Sequence, residues 1–206
     1  MKTFFILGAF AFLATGCASR APVQPVKLTS LETLRGQTFA LTTRDTPMMS
    51  PLTIGKGGAA RNTPAIADPS SAIGTELAAA LRAGSGMLAA NGSIKADGKV
   101  GVQEIAAAAK GNAAYVLDVQ TVKFLVAYFP ANWQRYQVQY SAIGRLINTD
   151  SGAVLVTGTC NDVADNKATA PTFEVMMAND GAVLREKLAA EAAACVATLK
   201  RELFRL

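Results

Sequence analysis

The spacing of apolar positions divides the chain into segments of contrasting period. Gln37 to Thr42 alternates and predicts a first strand. Ile73, Leu77, Ala80 and Leu81 recur at helical spacing behind Ser70 and Ser71, two residues suited to capping, and Gly84-Ser85-Gly86 stops the pattern, so residues 70–83 read as a helix. Met87 to Ala90 reads as a short strand, and Val102 to Lys110 as a second helix ended by Gly111. Tyr115 to Leu125 and Tyr136 to Ile147 are rich in β-branched and aromatic residues, which suit a pleated surface. Asn148-Thr149-Asp150-Ser151-Gly152 turns the second of these back into a strand ending near Cys160. From Gly181 to Phe204, Leu184, Leu188, Ala192, Cys195, Leu199 and Leu203 fall on one helical face. The order β-α-β-α-β-β-β-α predicts a single α+β domain over residues 31–206, a mixed sheet packed by helices. Its early alternation implies parallel pairing and its later meander antiparallel pairing. No internal repeat appears.

Where the period fails, interaction surfaces become candidates. Residues 43–70 hold Pro47, Pro51, Pro64 and Pro69 with Gly55, Gly57 and Gly58, and read as a long irregular insertion of a kind uncommon unless functional or disordered. Within it Met48, Met49 and Leu52 are apolar; they either form a docking surface or fold back and bury themselves. The Gly55-Lys56-Gly57-Gly58 stretch lacks the spacing of a phosphate loop. A second candidate runs from Phe124 to Tyr140 and includes the single tryptophan, Trp133. Pro130-Ala131-Asn132 breaks it into a hairpin, leaving Phe129 and Trp133 near the tip as partner contacts or as ordinary sheet aromatics. Alternation fails at Phe124-Leu125-Val126, which predicts cover on both faces. Arg135 and Arg145, near Gln137 and Gln139, read as a solvated sheet face.

The amino terminus follows another logic. Lys2 precedes the uncharged run Thr3 to Thr15, and the run ends in Leu13-Ala14-Thr15-Gly16-Cys17. This ending resembles the lipobox of bacterial lipoproteins, with Gly16 before the cut and Cys17 as the lipidated residue. Leu13 stands four places before the cysteine, one more than is usual. The run is too short to span a bilayer, which takes ~20 residues, and a charged start with a small-residue stop fits a processed signal over residues 1–16. The resemblance implies lipidation at Cys17 and a tether over residues 17–30, which contains Pro22 and Pro25. Each buried acyl methylene adds ~0.8 kcal/mol of membrane affinity, so several chains anchor stably. Ala18, rather than Asp, follows the cysteine, and the implied place is the outer membrane, on its periplasmic side.

Charge and chemistry narrow the function classes. Losing residues 1–16 removes one cation and lowers the formal net charge from +5 to +4, and no block of like charge points to nucleic acid. The chain contains no histidine, which removes Ser-His-Asp and Cys-His catalysis and histidine-based zinc sites. Asp162 and Asp165 flank a loop and read as turn formers. No catalytic residue, cofactor or metal site is expected. With Cys17 lipidated, Cys160 and Cys195 remain, an even pair in an oxidising compartment. Cys160 shares a period-two face with Val154 and Val156, and Cys195 points inward with Leu188, Ala192 and Leu199. A bridge would staple the last helix to the sheet; the alternative is two buried free thiols.

The element order is similar to that of the TolB amino-terminal domain and of periplasmic lipoproteins related to the curli secretion lipoprotein. Asn112 to Val119, entering a central strand, and Leu146 to Leu155, at the hairpin, carry the likeness. No propeller follows, and no paired long amphipathic strands would build a pore, so pore formation is not carried over. Two functions are expected from these readings. One is a non-enzymatic accessory subunit, anchored in the membrane by lipid, that docks another envelope protein. The other is an auxiliary lipoprotein that carries or hands over a lipid.

Overall fold

A computed structural model describes residues 31–44, 48–49, 52–54, 64–97, 100–162 and 168–205. After a 3-10 turn at Leu31–Leu34 come β1 (Thr38–Arg44), β2 (Met48–Met49), β3 (Leu52–Ile54) and β4 (Ile66–Ala67). Then follow α1 (Ser70–Ser85), β5 (Leu88–Ala96), α2 (Val102–Ala109), β6 (Tyr115–Phe129), β7 (Asn132–Asn148), β8 (Val154–Asp162) and α3 (Phe173–Phe204). The main sheet runs β5-β1-β6-β7-β8, with β3 beside the far half of β6. The pairs β1–β5, β1–β6 and β3–β6 are parallel, while β6–β7–β8 is an antiparallel meander. The expected mixed α+β architecture and its split between parallel and antiparallel halves are both present.

Topology decides which face each helix covers. The crossover through α1 runs from β1 outward to β5, and the crossover through α2 runs back from β5, past β1, to β6. Connections that move in opposite directions across a sheet, each right-handed, place their helices on opposite faces. Two apolar clusters result. Ile73, Leu77 and Leu81 of α1 and Leu184, Leu188, Leu199 and Leu203 of α3 pack with Phe39, Leu117, Val138 and Leu146 of the strands. On the other face the short α2 packs Ile105, Ala106 and Ala109 against Ala40, Ile94, Val116 and Ile147.

The approach of α3 to the sheet is set by two glycines. Gly144 and Gly158 lie side by side on β7 and β8. A Cβ on Gly158 would stand 2.7 Å from Cβ of Glu202, and one on Gly144 would stand 2.9 Å from Leu203 Cδ1. Two residue pairs along, Cys160 of β8 is bonded to Cys195 of α3, with Cα atoms 5.2 Å apart and both residues buried. The disulfide therefore fastens the helix next to the place where the missing side chains let it settle.

Several boundaries differ from the sequence reading. The 43–70 insertion carries three strand pieces: β2 pairs with β4, and β3 extends the main sheet. The cap of α1 is Pro69, with no side-chain cap; Asp68 Oδ1 accepts the Ser70 amide at 2.9 Å instead. β5 continues to Ala96, through an irregularity in its register with β1 that contains Gly92 at φ 80°. α3 starts at Phe173, where Thr172 accepts the Val175 amide, and is broken at 178–181 before the long stretch that follows Gly181. A register shift at Leu155 separates Val154, which packs with the α2 cluster, from Val156 and Cys160, which face α3. The period-two face expected for Val154 and Cys160 is lost to that bulge, because an extra residue reverses the alternation.

Candidate functional site

The β6–β7 hairpin reaches its tip through the two-residue connection Pro130-Ala131, with Phe129 paired to Asn132. Just beyond, the register jumps: the next pair is Tyr128 with Tyr136, so Trp133, Gln134 and Arg135 lack opposite partners on β6. An excess of residues on one strand bends it and re-aims its side chains. Trp133 emerges 54% exposed, with its indole N–H donating to the Pro130 carbonyl at 2.9 Å, while Phe129 is half-buried. The base of this tip is braced. The Tyr136 amide donates to the Pro171 carbonyl at 2.9 Å, Arg135 Nη1 donates to the Ala170 carbonyl at 2.7 Å, and the Tyr136 and Phe173 rings meet edge-on at 5.3 Å. The tip thus presents an exposed indole on a braced base, and an amphipathic ring of this kind has few rotatable bonds to order on contact.

Met48, Met49 and Leu52 contribute backbone to β2 and β3, and their side chains lie outside the described residues. Cys17 also lies outside them. Residues 48–49 pair with β4, whereas 52–54 pair with Leu125–Ala127 of β6, close to the tip pair Phe129 and Asn132. This neighbour on the far half of β6 also bears on the failed alternation at Phe124-Leu125-Val126. A bulge at Val122 reverses the facing of β6 there, so that Phe124 and Val126 join the large core while Val122 is 65% exposed.

The sheet also holds a charge cluster that the sequence reading passed over. Asp118, fully buried in β6, takes both Oδ atoms to guanidinium groups: Arg44 Nη2 of β1 bonds Oδ1, and Arg145 Nη1 of β7 bonds Oδ2 at 3.0 Å. Thr42 Oγ1 donates to Oδ1 at 2.9 Å, and Arg44 Nη1 also donates to the Asp97 carbonyl at 2.7 Å. Arg145 is thus not a freely solvated residue; its side chain is 20% exposed and tied to a buried carboxylate. The cluster depends on the register that sets Asp118 opposite Arg145 and brings the Arg44 side chain, further along β1, within reach. The one signal in the sequence was an aspartate inside the apolar run Tyr115-Val116-Leu117-Asp118-Val119, since a buried carboxylate needs a partner.

On the opposite face a shorter polar chain runs through the large core. Thr121 Oγ1 donates to Asp68 Oδ1 at 2.6 Å and lies 2.8 Å from the Tyr140 hydroxyl. Burial pushes the Tyr140 phenol well above the ordinary tyrosine range, Thr121 partly offsets this, and the Asp68 charge adds to it. A phenol so displaced stays protonated at neutral pH and can donate a hydrogen bond.

Clefts also open among the described residues. One of about 350 Å³ lies between the 65–69 segment and α3, lined by Ile66, Pro69, Leu188 and Ala189 with Arg185. Another, about 270 Å³ and mainly polar, lies beside Asn112, Thr149 and Asp150. No helix of the described residues is long and apolar enough to cross a membrane.

No family model matches the chain, and no curated protein does. Solved structures give distant likenesses. The PelC dodecamer from Paraburkholderia phytofirmans is 15% identical, with 88% of this chain and 95% of that one covered at a TM-score of 0.36. Protein XCC0632 from Xanthomonas campestris, of the DUF330 family, is 9% identical, with 87% and 91% covered at a TM-score of 0.42. Lipoprotein GNA1162 from Neisseria meningitidis is 13% identical, with 77% and 96% covered at a TM-score of 0.30. At TM-scores this low the likenesses carry no argument about this chain.

Proposed function

We propose that this chain is a lipid-anchored lipoprotein of the cell envelope, a non-enzymatic accessory subunit that docks another envelope protein through the tip of the β6–β7 hairpin. The lipobox-like ending at Cys17 supports the anchor. The observation that carries the docking role is Trp133, the single tryptophan, exposed at a tip whose base is braced by the 170–173 segment. Tryptophan is enriched among the few residues that dominate interface energies.

Crosslinking of the full chain in cells, followed by mass spectrometry of what co-purifies, tests this. One dominant envelope protein is expected, lost with Cys17→Ala. Trp133→Ala is expected to lower its recovery by roughly tenfold or more, the scale of an interface hot spot, while unfolding stability moves by no more than about 0.5 kcal/mol, as at other exposed positions. Unchanged recovery with Trp133→Ala would rule out the tip as the contact.

The apolar cleft beside α3 favours a second reading, handover of a lipid. Its volume lies near the lower end of the roughly 300–1,000 Å³ typical of small-molecule sites, and Arg185 stands among its lining residues. Native mass spectrometry of chain extracted from membranes separates the two. A stoichiometric bound lipid, displaced by Ala189→Trp, supports handover, and a lipid-free chain that still captures its protein partner excludes it.

A further inference from the structure

We infer that the open face of the β6–β7–β8 meander, centred on Arg145, receives an acidic segment of the docked protein; this rests on the docking role proposed above and names the chemistry of the partner. α2 is only eight residues long and covers this face of the sheet near Val116 and Ile147. Further along the same face, set by alternation and register, lie Asp118 and Arg145, then Gln120 and Ile143, then Val122 and Lys123 beside the buried Ser141, then Leu125 and Gln139. Thr157 and Thr159 of β8 stand opposite Arg145 and Ile143 and are exposed. The bulge in β6 turns both Val122 and Lys123 to this side, and Lys123 Nζ donates to Gln139 Oε1 at 3.2 Å.

Charge decides what fits here. The side chains just named include two accessible cations, Arg145 and Lys123, and their single carboxylate, Asp118, is fully buried. That carboxylate is already shared between two guanidinium groups, so the cluster of Arg44, Asp118 and Arg145 carries one positive charge in excess. Nε of Arg44, on a side chain only 4% exposed, has no hydrogen-bond partner among the described residues. A buried excess charge is poorly screened, and its field leaves the protein where solvent reaches the cluster, at Arg145. The surrounding amides and hydroxyls of Gln120, Gln139, Thr157 and Thr159 supply neutral hydrogen-bonding groups. A partner carboxylate placed on Arg145 would balance the cluster, whereas a basic segment would be repelled by it.

The test places a photocrosslinking amino acid in the full, lipidated chain in cells. It replaces Val122 or Thr159 on the open face, Trp133 at the tip, or Glu186 on the exposed side of α3 as background. Crosslinks from positions 122 and 159 are expected to map to a partner segment that carries aspartate or glutamate. Their yield in isolated membranes is expected to fall roughly two- to fivefold with Lys123→Glu, and less with Lys123→Gln, as for a solvent-accessible charge. It is also expected to fall when salt rises from about 0.15 M to about 1 M, which shortens the screening length from about 8 Å to about 3 Å. Crosslinks to a segment without acidic residues, crosslinks to anionic phospholipid, or a yield indifferent to salt and to Lys123→Glu would overturn the inference. Silence at 122 and 159 with a strong crosslink from Trp133 would overturn it alone and leave tip docking intact. Silence at all three positions would remove both.

Discussion

The two faces of the β6–β7–β8 meander are built on opposite principles. The face under α3 is closed by subtraction: Gly144 and Gly158 remove side chains, the helix descends onto the strands, and the Cys160–Cys195 bond fastens it there. The other face is covered by α2 at one end only, and beyond that end the sheet holds Asp118 between two arginines. One face is therefore held by shape and the other by charge. Substitutions on the closed face should report packing and cross-linking; those on the open face should report electrostatics.

The largest effect is expected on the open face. Asp118→Asn keeps the size of the side chain but removes the charge that both Arg44 and Arg145 hold, and breaking a buried ion pair in this way costs about 3–5 kcal/mol. Urea unfolding at neutral pH measures it. A loss below about 1 kcal/mol would mean that the cluster is well solvated, and the contrast between the faces would collapse. On the closed face, replacing both Cys160 and Cys195 by Ala opens a loop spanning 35 residues of sequence separation. In the chain-entropy model this removes about 3–4 kcal/mol. Because the effect acts largely through the unfolded state, the change should appear in the unfolding midpoint while the native spectrum stays the same.

Gly158→Ala sharpens the comparison further. The new Cβ meets Cβ of Glu202, an atom fixed by its helix, so α3 must lift as a body, at about 1–3 kcal/mol for overpacking. Gly144→Ala meets the end of the Leu203 side chain, which can turn aside, so its cost should be the smaller of the two. Chemical denaturation of the two variants gives the order, and the reverse order would mean that α3 is not seated by Gly158.

Much of this architecture was legible from period alone. β6, β7, α1 and the long part of α3 are regular enough that their apolar stripes announced them, and the proline-broken aromatic stretch marked the hairpin that carries Trp133. What escaped was set by partners rather than by local pattern. The bulges at Val122 and Leu155 are defined by the strand opposite, and each reverses which side chains face the core. β5 runs on past the short strand expected at Met87 to Ala90, because pairing with β1 carries it through Gly92 to Ala96. Arg145 read as a surface residue because Asp118 and Arg44 lie far off in sequence. Only the lateral register of three strands brings them together, and that register follows from both crossovers being in place.

The smallest effect tests whether the closed face is as apolar as its glycines imply, because Tyr140 places a hydroxyl inside it. Its phenol is held protonated by burial, with Thr121 linking it to Asp68. A group whose folded pKa lies above its unfolded value stabilises the fold fully below the unfolded value, about 10 for tyrosine, and loses that contribution as pH rises beyond it. Stability should therefore fall above pH ~10, since the unfolded chain releases a proton there that the folded chain retains. Tyr140→Phe removes this proton linkage and should flatten that part of the fall. At pH 7 it loses one hydrogen bond, about 1 kcal/mol, while Thr121 keeps its bond to Asp68. Unfolding midpoints of both proteins between pH 7 and pH 11 make the measurement. Parallel curves would show that Tyr140 ionises as readily in the folded chain as in the unfolded one. Water would then reach the closed face at its centre, and the distinction between a face held by shape and a face held by charge would fail there.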